Sequence, residues 1–298
     1  MSRIALASCT AFPAGDEDAA ILLDAFARGG HDATWQIWDD PAVDWSQFDA
    51  TLVRATWDYT PRRAEFLAWA GGLPLVLNPF PVLSWSSDKT YLRDLFAADI
   101  PAVVTDFVDP GQRLPAGLEG EYVVKPSVGA GSRGAGRFTL PAELEAAREH
   151  LTALHAGGRT ALVQPYVTAV DTVGETAVVC LGGVVSHAAR KSALLGPGTV
   201  RELVAPTDSD DHGLFLVETM SGAEPTEAET AVADRVLTYV TERFGVAPVY
   251  ARVDLLPAPD GPVVVEVELV EPSLFFGYAG DPAAAADRLV AAVAAVVS

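Results

Sequence analysis

The sequence predicts an α/β protein in which a small parallel β-α-β unit comes first and two α+β units follow. Three observations predict this fold class. Short apolar strands alternate with amphipathic helices through residue 77. A glycine-rich stretch, 129–136, lies between two strand-like segments, and two later strands, 249–256 and 263–269, carry charges at every second position. The 298 residues, 50% of them hydrophobic, suffice for two or three cores.

Composition excludes several classes of partner. The formal net charge of −20 argues against nucleic acid or an anionic membrane as the main partner, because both would be repelled. Cys9 and Cys180 are far apart and show no C-x-x-C spacing, so neither a disulfide framework nor a cysteine zinc site is indicated. We find no signal peptide or transmembrane span, interpret the alanine-rich C-terminal run as an amphipathic surface helix, and expect a cytoplasmic protein.

The first unit reads as alternating strands and helices. Its predicted elements, in chain order, are strand 4–7, helix 16–28 with acidic residues in its first turn, strand 33–38, strand 50–54, helix 62–69 and strand 75–77. Such alternation implies a parallel sheet covered on both faces, with ligands outside the carboxyl ends of its strands.

Arg54, Thr56, Trp57 and Asp58 lie at one of those carboxyl ends. They are interpreted either as a substrate pocket, in which Arg54 pairs with a carboxylate in bidentate fashion, or as a capped turn with a packed tryptophan. The sequence leaves both interpretations open.

The second unit begins at Asp88-Lys89, which opens a predicted helix over 90–98. The helix macrodipole disfavours a cation at this position, so either an anion compensates Lys89 or the lysine is simply solvated. The other predicted elements are strand 102–107, the glycine-rich hairpin, helix 141–155, and strand 161–164, which runs into Pro165-Tyr166-Val167.

The glycine-rich stretch follows a buried strand, 122–124, that ends in Lys125-Pro126. Its glycines permit close approach of the backbone to a ligand, and successive N–H groups can cradle phosphate oxygens. The pattern G-x-G-x-x-G occurs here, but a strand rather than a helix follows, which favours a hairpin over a dinucleotide-binding turn. The alternative is an ordinary surface hairpin.

The last unit contains the second chemical cluster. Strands 175–181 and 184–190 are joined by Gly182-Gly183. A polar linker at 208–211 precedes helix 227–244, and the two charged strands follow, joined by a turn at 257–262.

The two charged strands bring carboxylates together if they pair. Arg252 and Asp254 share one face of the first strand, and Glu266 and Glu268 share one face of the second. Three converging carboxylates would repel one another unless a divalent cation such as Mg²⁺ neutralised them. The alternative is a sheet with one solvated face. The absence of an interleaved lysine and the aromatic loop at 271–276 favour the metal site.

The order of these motifs resembles the ATP-grasp ligase superfamily over about residues 88 to 276, and the β-α-β region resembles that family's preceding domain. Two further stretches, Arg-Ala-Thr-Trp-Asp-Tyr at 54–59 and Glu-Val-Glu-Leu-Val-Glu-Pro-Ser at 266–273, are similar to the subgroup of ATP-dependent cyclo-ligases of D-cycloserine biosynthesis. Many members have Glu-x-Asn where this chain has Glu266-Val-Glu268, which implies a slightly different metal environment.

The resemblance implies that two subdomains clamp ATP between them. The implied domains are 1–88 on the substrate side, 89–165 with the glycine-rich loop, and 166–298 with a Mg²⁺ site. The implied ATP-binding residues are Lys89, Lys125, Ser127, Gly129, Gly131, Ser132, Gly134, Gln164, Pro165, Tyr166, Val167, and either Glu175 or Asp171 for the ribose. The implied metal ligands are Asp254, Glu266 and Glu268, and the implied catalytic cations are Arg252, Arg190 and Lys125. The substrate-binding residues inferred with them are Arg54, Thr56, Asp58, His187 and Ser273; for His187, a half-buried polar role on its strand is the alternative.

The implied activity is that of an ATP-dependent carbon–nitrogen ligase acting on a small amino-acid-like molecule. ATP would convert a carboxylate to an acylphosphate, and a nitrogen of the same molecule, O-ureido-D-serine, would close the ring of D-cycloserine. The alternative is an intermolecular amide ligase of the glutathione synthetase or D-Ala-D-Ala ligase type. A kinase is less favoured because no H-R-D or D-F-G set occurs, and the carboxylate triad argues against a regulatory module. A homodimer or higher homo-oligomer is compatible with the sequence.

Overall fold

The computed structural model describes residues 1–201 and 219–297 and shows a mixed α/β fold with three sheets. The predicted fold class is confirmed. The strands are β1 Arg3–Ser8, β2 Asp32–Ile37, β3 Ala50–Ala55, β4 Val76–Leu77, β5 Asp106–Val108, β6 Gly120–Pro126, β7 Gly136–Leu140, β8 Ala161–Pro165, β9 Glu175–Leu181, β10 Val184–Lys191, β11 Met220–Ala223, β12 Tyr250–Ala258 and β13 Gly261–Glu268. The helices are α1 Ala19–Arg28, α2 Arg63–Gly72, α3 Phe80–Ser86, α4 Leu92–Ala97, α5 Leu144–Ala156, α6 Val170–Val173, α7 Glu227–Phe244 and α8 Pro282–Val297.

The first sheet has the order β2-β1-β3-β4, and its pairs are parallel. Its core includes Leu22 and Phe26 of α1 packed with the buried stripe of the C-terminal helix α8, which contains Leu289 and Val293. The predicted amphipathic helix therefore buries its apolar stripe in the core of the first sheet. No helix in the described part of the chain is long and apolar enough to span a bilayer.

The central sheet has the order β5-β8-β6-β7, and β6 and β7 form the predicted antiparallel hairpin, with Val124 opposite Gly136. Helix α5 packs against this sheet through Ala147, Leu151 and Leu154. The hairpin prediction for the glycine-rich stretch is confirmed. The loop of the hairpin follows Pro126, which pairs with Ala161 at the start of β8, whereas Pro165 at the end of β8 pairs with Tyr122.

The C-terminal sheet has the order β11-β10-β9-β12-β13. The two charged strands pair as predicted, with Asp254 opposite Glu266 and Arg252 opposite Glu268. Helix α7 has the predicted bounds because Thr226 and Glu229 form a capping box at its start and Gly245 adopts a left-handed conformation, φ 71°, after its end.

Several predicted element bounds were wrong. Helix α1 begins at Ala19, so the acidic residues 16–18 precede the helix instead of filling its first turn. The predicted strand 102–107 is reduced to β5, because Val103 donates instead to Val264 O of β13 at 2.9 Å. Helix 90–98 divides into a 3₁₀ turn, Lys89–Tyr91, and α4. The turn between β12 and β13 is shorter than predicted, since Pro257 and Pro262 pair with each other.

The three sheets lie within residues 3–77, 106–165 and 175–268. The domain boundaries at 88 and 165 stay a prediction. The predicted linker at 208–211 lies outside the described residues.

Candidate active site

A cavity of about 660 Å³ is lined by loops of the first sheet and by residues of the other two sheets. The loops that follow β1 and β3 contribute Asp16, Glu17 and Trp57, the glycine-rich hairpin contributes Gly129 to Arg133, and β12 and β13 contribute charged residues. The cavity therefore lies at the carboxyl ends of the first sheet's strands, as expected for an open parallel sheet.

One end of the cavity combines the strand end 164–167 with the glycine-rich hairpin. Gln164 is buried and donates through Nε2 to Thr105 Oγ1 at 2.9 Å, which fixes its amide. Lys125 lines the same end, and burial lowers the pKa of its ammonium group. This part of the cavity combines apolar side chains, among them Val123 and Val167, with the cation of Lys125.

Lys89 joins the hairpin to the charged strands. Its Nζ donates to Gly129 O at 2.6 Å and lies 2.8 Å from Glu266 Oε1. Burial alone lowers the pKa of Lys89, but the neighbouring Glu266 carboxylate more than offsets this, so the net shift is upward. The alternative of a solvated lysine is therefore wrong, because Lys89 is buried against a carboxylate.

Three carboxylates meet on the paired strands β12 and β13. Oxygen atoms of Asp254, Glu266 and Glu268 lie within 4.8 Å of one another. Burial, with Glu266 and Asp254 close by, raises the pKa of Glu268 to about 7. Burial also acts to raise the pKa of Asp254, but Arg252 and Lys191 hold it well below its usual range. The arrangement is a hard, oxygen-rich cluster of the kind that holds divalent cations.

Cations surround this cluster. Arg252 donates to Asp254 Oδ1 at 2.8 Å and to Glu268 Oε1 at 2.5 Å, and Lys191 Nζ lies 2.9 Å from Asp254 Oδ2. Lys191 also pairs with Glu175. The cluster is thus partly neutralised in the described structure: no lysine interleaves the carboxylates on their own strands, but Lys191 reaches them from β10.

The other end of the cavity is formed by the segment Glu271, Pro272, Ser273 and Leu274, whose Glu271 and Ser273 line the cavity. Four side chains hold its backbone by donating to successive carbonyl oxygens. They are Trp57 Nε1 to Glu271 O at 3.0 Å, Arg54 Nη1 to Pro272 O at 2.9 Å, Arg252 Nη1 to Ser273 O at 3.3 Å and His187 Nε2 to Leu274 O at 2.8 Å. The segment is therefore fixed by the first sheet and by the C-terminal sheet together.

Comparison with known proteins identifies the family. Residues 4–78 match the family model "D-cycloserine synthetase DcsG, N-terminal domain". Over 284 residues the chain is 36% identical to the cycloserine biosynthesis protein DcsG of Streptomyces lavendulae, covering 90% of this chain and 91% of that protein. The chain belongs to the DcsG family.

Solved structures agree with this assignment. The crystal structure of D-cycloserine synthetase DcsG covers 99% of this DcsG-family chain, and 100% of its own chain is matched, at 33% identity and a TM-score of 0.87. An ATP-grasp RimK domain protein from Sphaerobacter thermophilus matches over 98% of this chain and 100% of its own, at 23% identity and a TM-score of 0.66, which shows a shared fold. The structure of D-alanine–D-alanine ligase from Bacillus anthracis, complexed with ATP, matches over 100% of this chain and 97% of its own. The identity is 13% and the TM-score is 0.63. The predicted ATP-grasp fold is confirmed.

Most of the residues predicted for ATP, metal and catalysis line the cavity of this DcsG-family chain. They are Lys89, Lys125, Gly129, Gly131, Ser132, Gln164, Pro165, Tyr166, Val167, Glu175, Arg252, Asp254, Glu266 and Glu268. Ser127 and Gly134 do not line it: Ser127 O accepts from Lys89 N at 2.8 Å, and Gly134 O lies 2.9 Å from His150 Nε2.

Arg190 is not brought to the cavity. Its guanidinium lies 3.7 Å from Glu229 on the helix side of β10, whereas the next residue, Lys191, reaches the carboxylates. Adjacent residues of a strand face opposite sides of a sheet. One residue of the Arg190-Lys191 pair therefore faces the cavity side, and in the structure that residue is Lys191. A bulge between Val185 and His187 shifts the register of β10, and the sequence shows no sign of it.

Four of the five predicted substrate residues do not line the cavity. Arg54 and His187 hold the backbone of residues 271–274, as described above. Asp58 accepts from Trp38 Nε1 at 2.8 Å, and the Thr56 hydroxyl is buried without a hydrogen-bond partner among residues 1–201 and 219–297. Ser273 alone of the five lines the cavity. The Arg54 region was interpreted either as a substrate pocket or as a capped turn with a packed tryptophan. In the structure it is a packed turn that holds residues 271 and 272 of the cavity wall.

The ribose candidates are separated by the structure. Glu175 lines the cavity, whereas the Asp171 carboxylate accepts from the Tyr166 hydroxyl and from Arg137 at 3.3 Å. Arg137 itself was missed by sequence reasoning, as were Lys191 and Glu271. The guanidinium of Arg137 lies 3.5 Å from the centre of the Tyr166 ring. A lone arginine on a hairpin strand gives no signal in a sequence that it will stack at a site.

Proposed function

We propose that this protein is an ATP-dependent carbon–nitrogen ligase that closes the ring of D-cycloserine from O-ureido-D-serine. The observation that carries the proposal is the continuity of the cavity in a DcsG-family chain. It joins a nucleotide-sized slot, a carboxylate cluster flanked by cations, and a rigid segment that presents Glu271 and Ser273.

ATP is assigned to the end formed by the hairpin and residues 164–167. Lys125 and Lys89 would contact its phosphates, and the backbone of the glycine-rich loop would cover them. Glu175 would bind the ribose, because it lines the cavity whereas Asp171 does not. This assignment requires the loop to close over bound nucleotide, as active-site loops commonly do.

The carboxylate cluster fits Mg²⁺. Three carboxylates within 4.8 Å supply hard oxygen ligands, and burial, with the Glu266 and Asp254 carboxylates adding to it, raises the pKa of Glu268 to about 7. Bound Mg²⁺ would supply charge neutralisation for the phosphates of ATP. Asp254, Glu266 and Glu268 would hold it, while Arg252 and Lys191 remain beside them.

The proposed reaction begins with transfer of the terminal phosphoryl group of ATP to the substrate carboxylate. The ureido nitrogen attached to oxygen then attacks the acyl carbon, its proton is lost, the C–O bond to phosphate breaks, and the isoxazolidinone ring forms. Hydrolysis of the carbamoyl group by water, which releases carbon dioxide and ammonia and leaves a proton on the ring nitrogen, completes the product. Arg252, which is held by two carboxylates, would stabilise the transferring group. The cavity wall must fold the substrate so that nitrogen meets carbonyl, an orientation effect worth about 7 kcal/mol or more in favourable cases.

Arg54 and His187 are proposed to act on the substrate only through the segment at 271–274, with Ser273 as the direct contact. We expect a cytoplasmic enzyme of unspecified homo-oligomeric state. The two cysteines, Cys9 and Cys180, are free and buried, which suits a reducing compartment.

The proposal is tested by ADP release with ATP and Mg²⁺ over a panel of acceptors, with products identified by mass. The panel contains O-ureido-D-serine, its L-enantiomer, single D- and L-amino acids, and pairs of amino acids. We expect turnover with O-ureido-D-serine alone and formation of the cycloserine mass. Turnover only with two amino acids together would assign the protein to the intermolecular amide ligases instead.

A further inference from the structure

Glu271 is a buried carboxylate in the cavity that the metal cluster and the nucleotide site leave unused. It lines the cavity, and the residue is only 6% exposed. Within the described ranges, 1–201 and 219–297, its carboxylate forms no hydrogen bond and no ion pair. A buried carboxyl group without a partner is costly, so its presence indicates a ligand group that satisfies it.

The cations near Glu271 are engaged elsewhere. Lys89 lies against Glu266 and Gly129 O. Arg133 donates to Trp57 O at 2.8 Å and to Ala130 O at 3.2 Å. Arg252 is held by Asp254 and Glu268. A positive partner for Glu271 must therefore come from outside the described protein residues.

The position of Glu271 is rigid. Its carbonyl oxygen accepts from Trp57 Nε1 at 3.0 Å, and the next carbonyl accepts from Arg54 Nη1 at 2.9 Å. Because two side chains from β3 and the loop after it hold this backbone, the carboxylate is presented to the cavity at a fixed place. Such preorganisation is typical of a recognition group. Ser273, two residues later, lines the same wall and gives a hydroxyl beside the carboxylate.

We propose that Glu271 binds the ammonium group of an α-amino acid and is the residue that makes this site specific for amino acids. The inference rests on the proposed function, because it places the ammonium next to the carboxylate that ATP activates. The buried carboxylate and the ammonium form an ion pair inside the cavity. An otherwise identical acid that lacks the amino group leaves Glu271 unpaired and binds poorly.

The pKa of Glu271 agrees with this assignment. Burial raises it well above its ordinary value, with the Glu268 carboxylate adding to the effect. A cation bound against Glu271 would stabilise the charged carboxylate and reverse this shift.

The test compares two enzymes on two substrates. The enzymes are the unchanged protein and Glu271→Gln, and the substrates are O-ureido-D-serine and its analogue without the α-amino group. We expect Glu271→Gln to lower kcat/KM for O-ureido-D-serine by about 100-fold, mainly through KM, since losing one partner of a buried charge pair has this size of effect. For the analogue, which has no ammonium to pair, the two enzymes should differ by less than about 3-fold.

Controls separate this role from a structural one. Glu145→Gln, on α5, changes a side chain that is 79% exposed and should leave both substrates unaffected. Glu271→Asp keeps the charge and should retain a preference for the substrate that carries the ammonium. Thermal unfolding of each variant checks that it is folded.

Two results would overturn the inference alone. One is an equal loss on both substrates, and the other is a loss confined to kcat, with a changed pH profile, which would make Glu271 a proton-transfer residue. Absence of turnover by the unchanged protein on O-ureido-D-serine would contradict the proposed function itself, so the two failures are distinguishable.

Discussion

At the scale of single residues, the site is governed by how buried charges are paired. Asp254 has two cationic neighbours, Arg252 and Lys191, and its pKa is held low. Burial raises the pKa of Glu268 to about 7, and the Glu266 and Asp254 carboxylates add to this rise while Arg252 opposes it. The pKa values of Asp254 and Glu268 therefore shift in opposite directions, because Asp254 has two cationic neighbours and Glu268 has one cation and two carboxylates nearby.

Glu268 provides a direct test of the metal assignment. Glu268→Gln removes one of the three carboxylates but keeps the shape of the side chain. We expect kcat to fall by about 100-fold and the half-saturating Mg²⁺ concentration to rise, because a ligand is lost. The measurement is ADP release titrated with Mg²⁺, with Glu145→Gln as the matched surface control. An unchanged Mg²⁺ dependence would count against Glu268 as a ligand.

Asp18 provides a test of stability against pH. It is 3% exposed. Burial, and to a smaller extent the neighbouring Asp16 carboxylate, raises its pKa from 3.8 to about 6. A raised acid pKa means that the folded state holds the proton more tightly, so stability is lost as pH rises from 3.8 through about 6. Asp18→Asn removes this loss. We expect the change in the free energy of unfolding that the substitution causes to be more favourable at pH 8 than at pH 4 by about 2 kcal/mol.

Denaturant unfolding of both proteins at the two pH values measures this difference. The amide can still accept from Phe276 N, which lies 3.4 Å from Asp18 Oδ2, so the local contact is kept. The same change in the free energy of unfolding at pH 4 and pH 8 would show that the Asp18 carboxyl does not titrate as described.

At the scale of elements, Arg137 ties three segments together at the nucleotide end. It donates to both Glu121 carboxylate oxygens at 2.9 Å, to Leu195 O at 2.9 Å and to Asp171, and its guanidinium stacks on Tyr166. Strand β6, strand β7, helix α6 and the chain after β10 thus share one side chain. Tyr166 and Leu195 both line the cavity, so Arg137 is a positioning residue for the nucleotide slot.

We therefore expect Arg137→Met to raise the KM for ATP by about 10-fold or more while kcat changes by less than about 3-fold, since the slot loses its shape but the reacting groups do not. Arg137→Lys should be intermediate, because lysine keeps the charge but cannot form the bidentate pair or the stack. The measurement is steady-state ATP dependence, with Arg148→Gln on the exposed face of α5 as the control. A variant that is only less stable, with an unchanged KM for ATP, would contradict the positioning role.

The elements also show what a sequence can predict. The bounds of β9 and α7 were predicted because local signals define them, namely glycines and a capping box. The strand at 102–107 was mispredicted because its residues bond to β13, a partner 160 or so positions away that no local pattern reveals. The alternation of side chains along a strand allowed residues to be grouped by sheet face. Whether Lys191 or Arg190 faces the cavity, however, depended on the bulge between Val185 and His187.

At the scale of the whole molecule, the site is assembled by contacts between distant parts of the chain. Arg54 and Pro272 are 218 positions apart, and Trp57 and Glu271 are 214 apart, yet each pair forms a buried hydrogen bond. The early and late stretches that suggested the cyclo-ligase resemblance are therefore physically joined. Sequence reasoning found both stretches but took Arg54 for a substrate contact, because it could not show that the arginine faces protein backbone.

The central claim is that ATP activates the substrate's own carboxylate. The most direct test uses O-ureido-D-serine with ¹⁸O in both carboxylate oxygens, ATP and Mg²⁺, and mass analysis of the phosphate released. An acylphosphate that is displaced by nitrogen leaves one carboxylate oxygen on phosphate, so we predict one ¹⁸O atom in each phosphate for each ring formed. Ring formation with unlabelled phosphate would contradict the account.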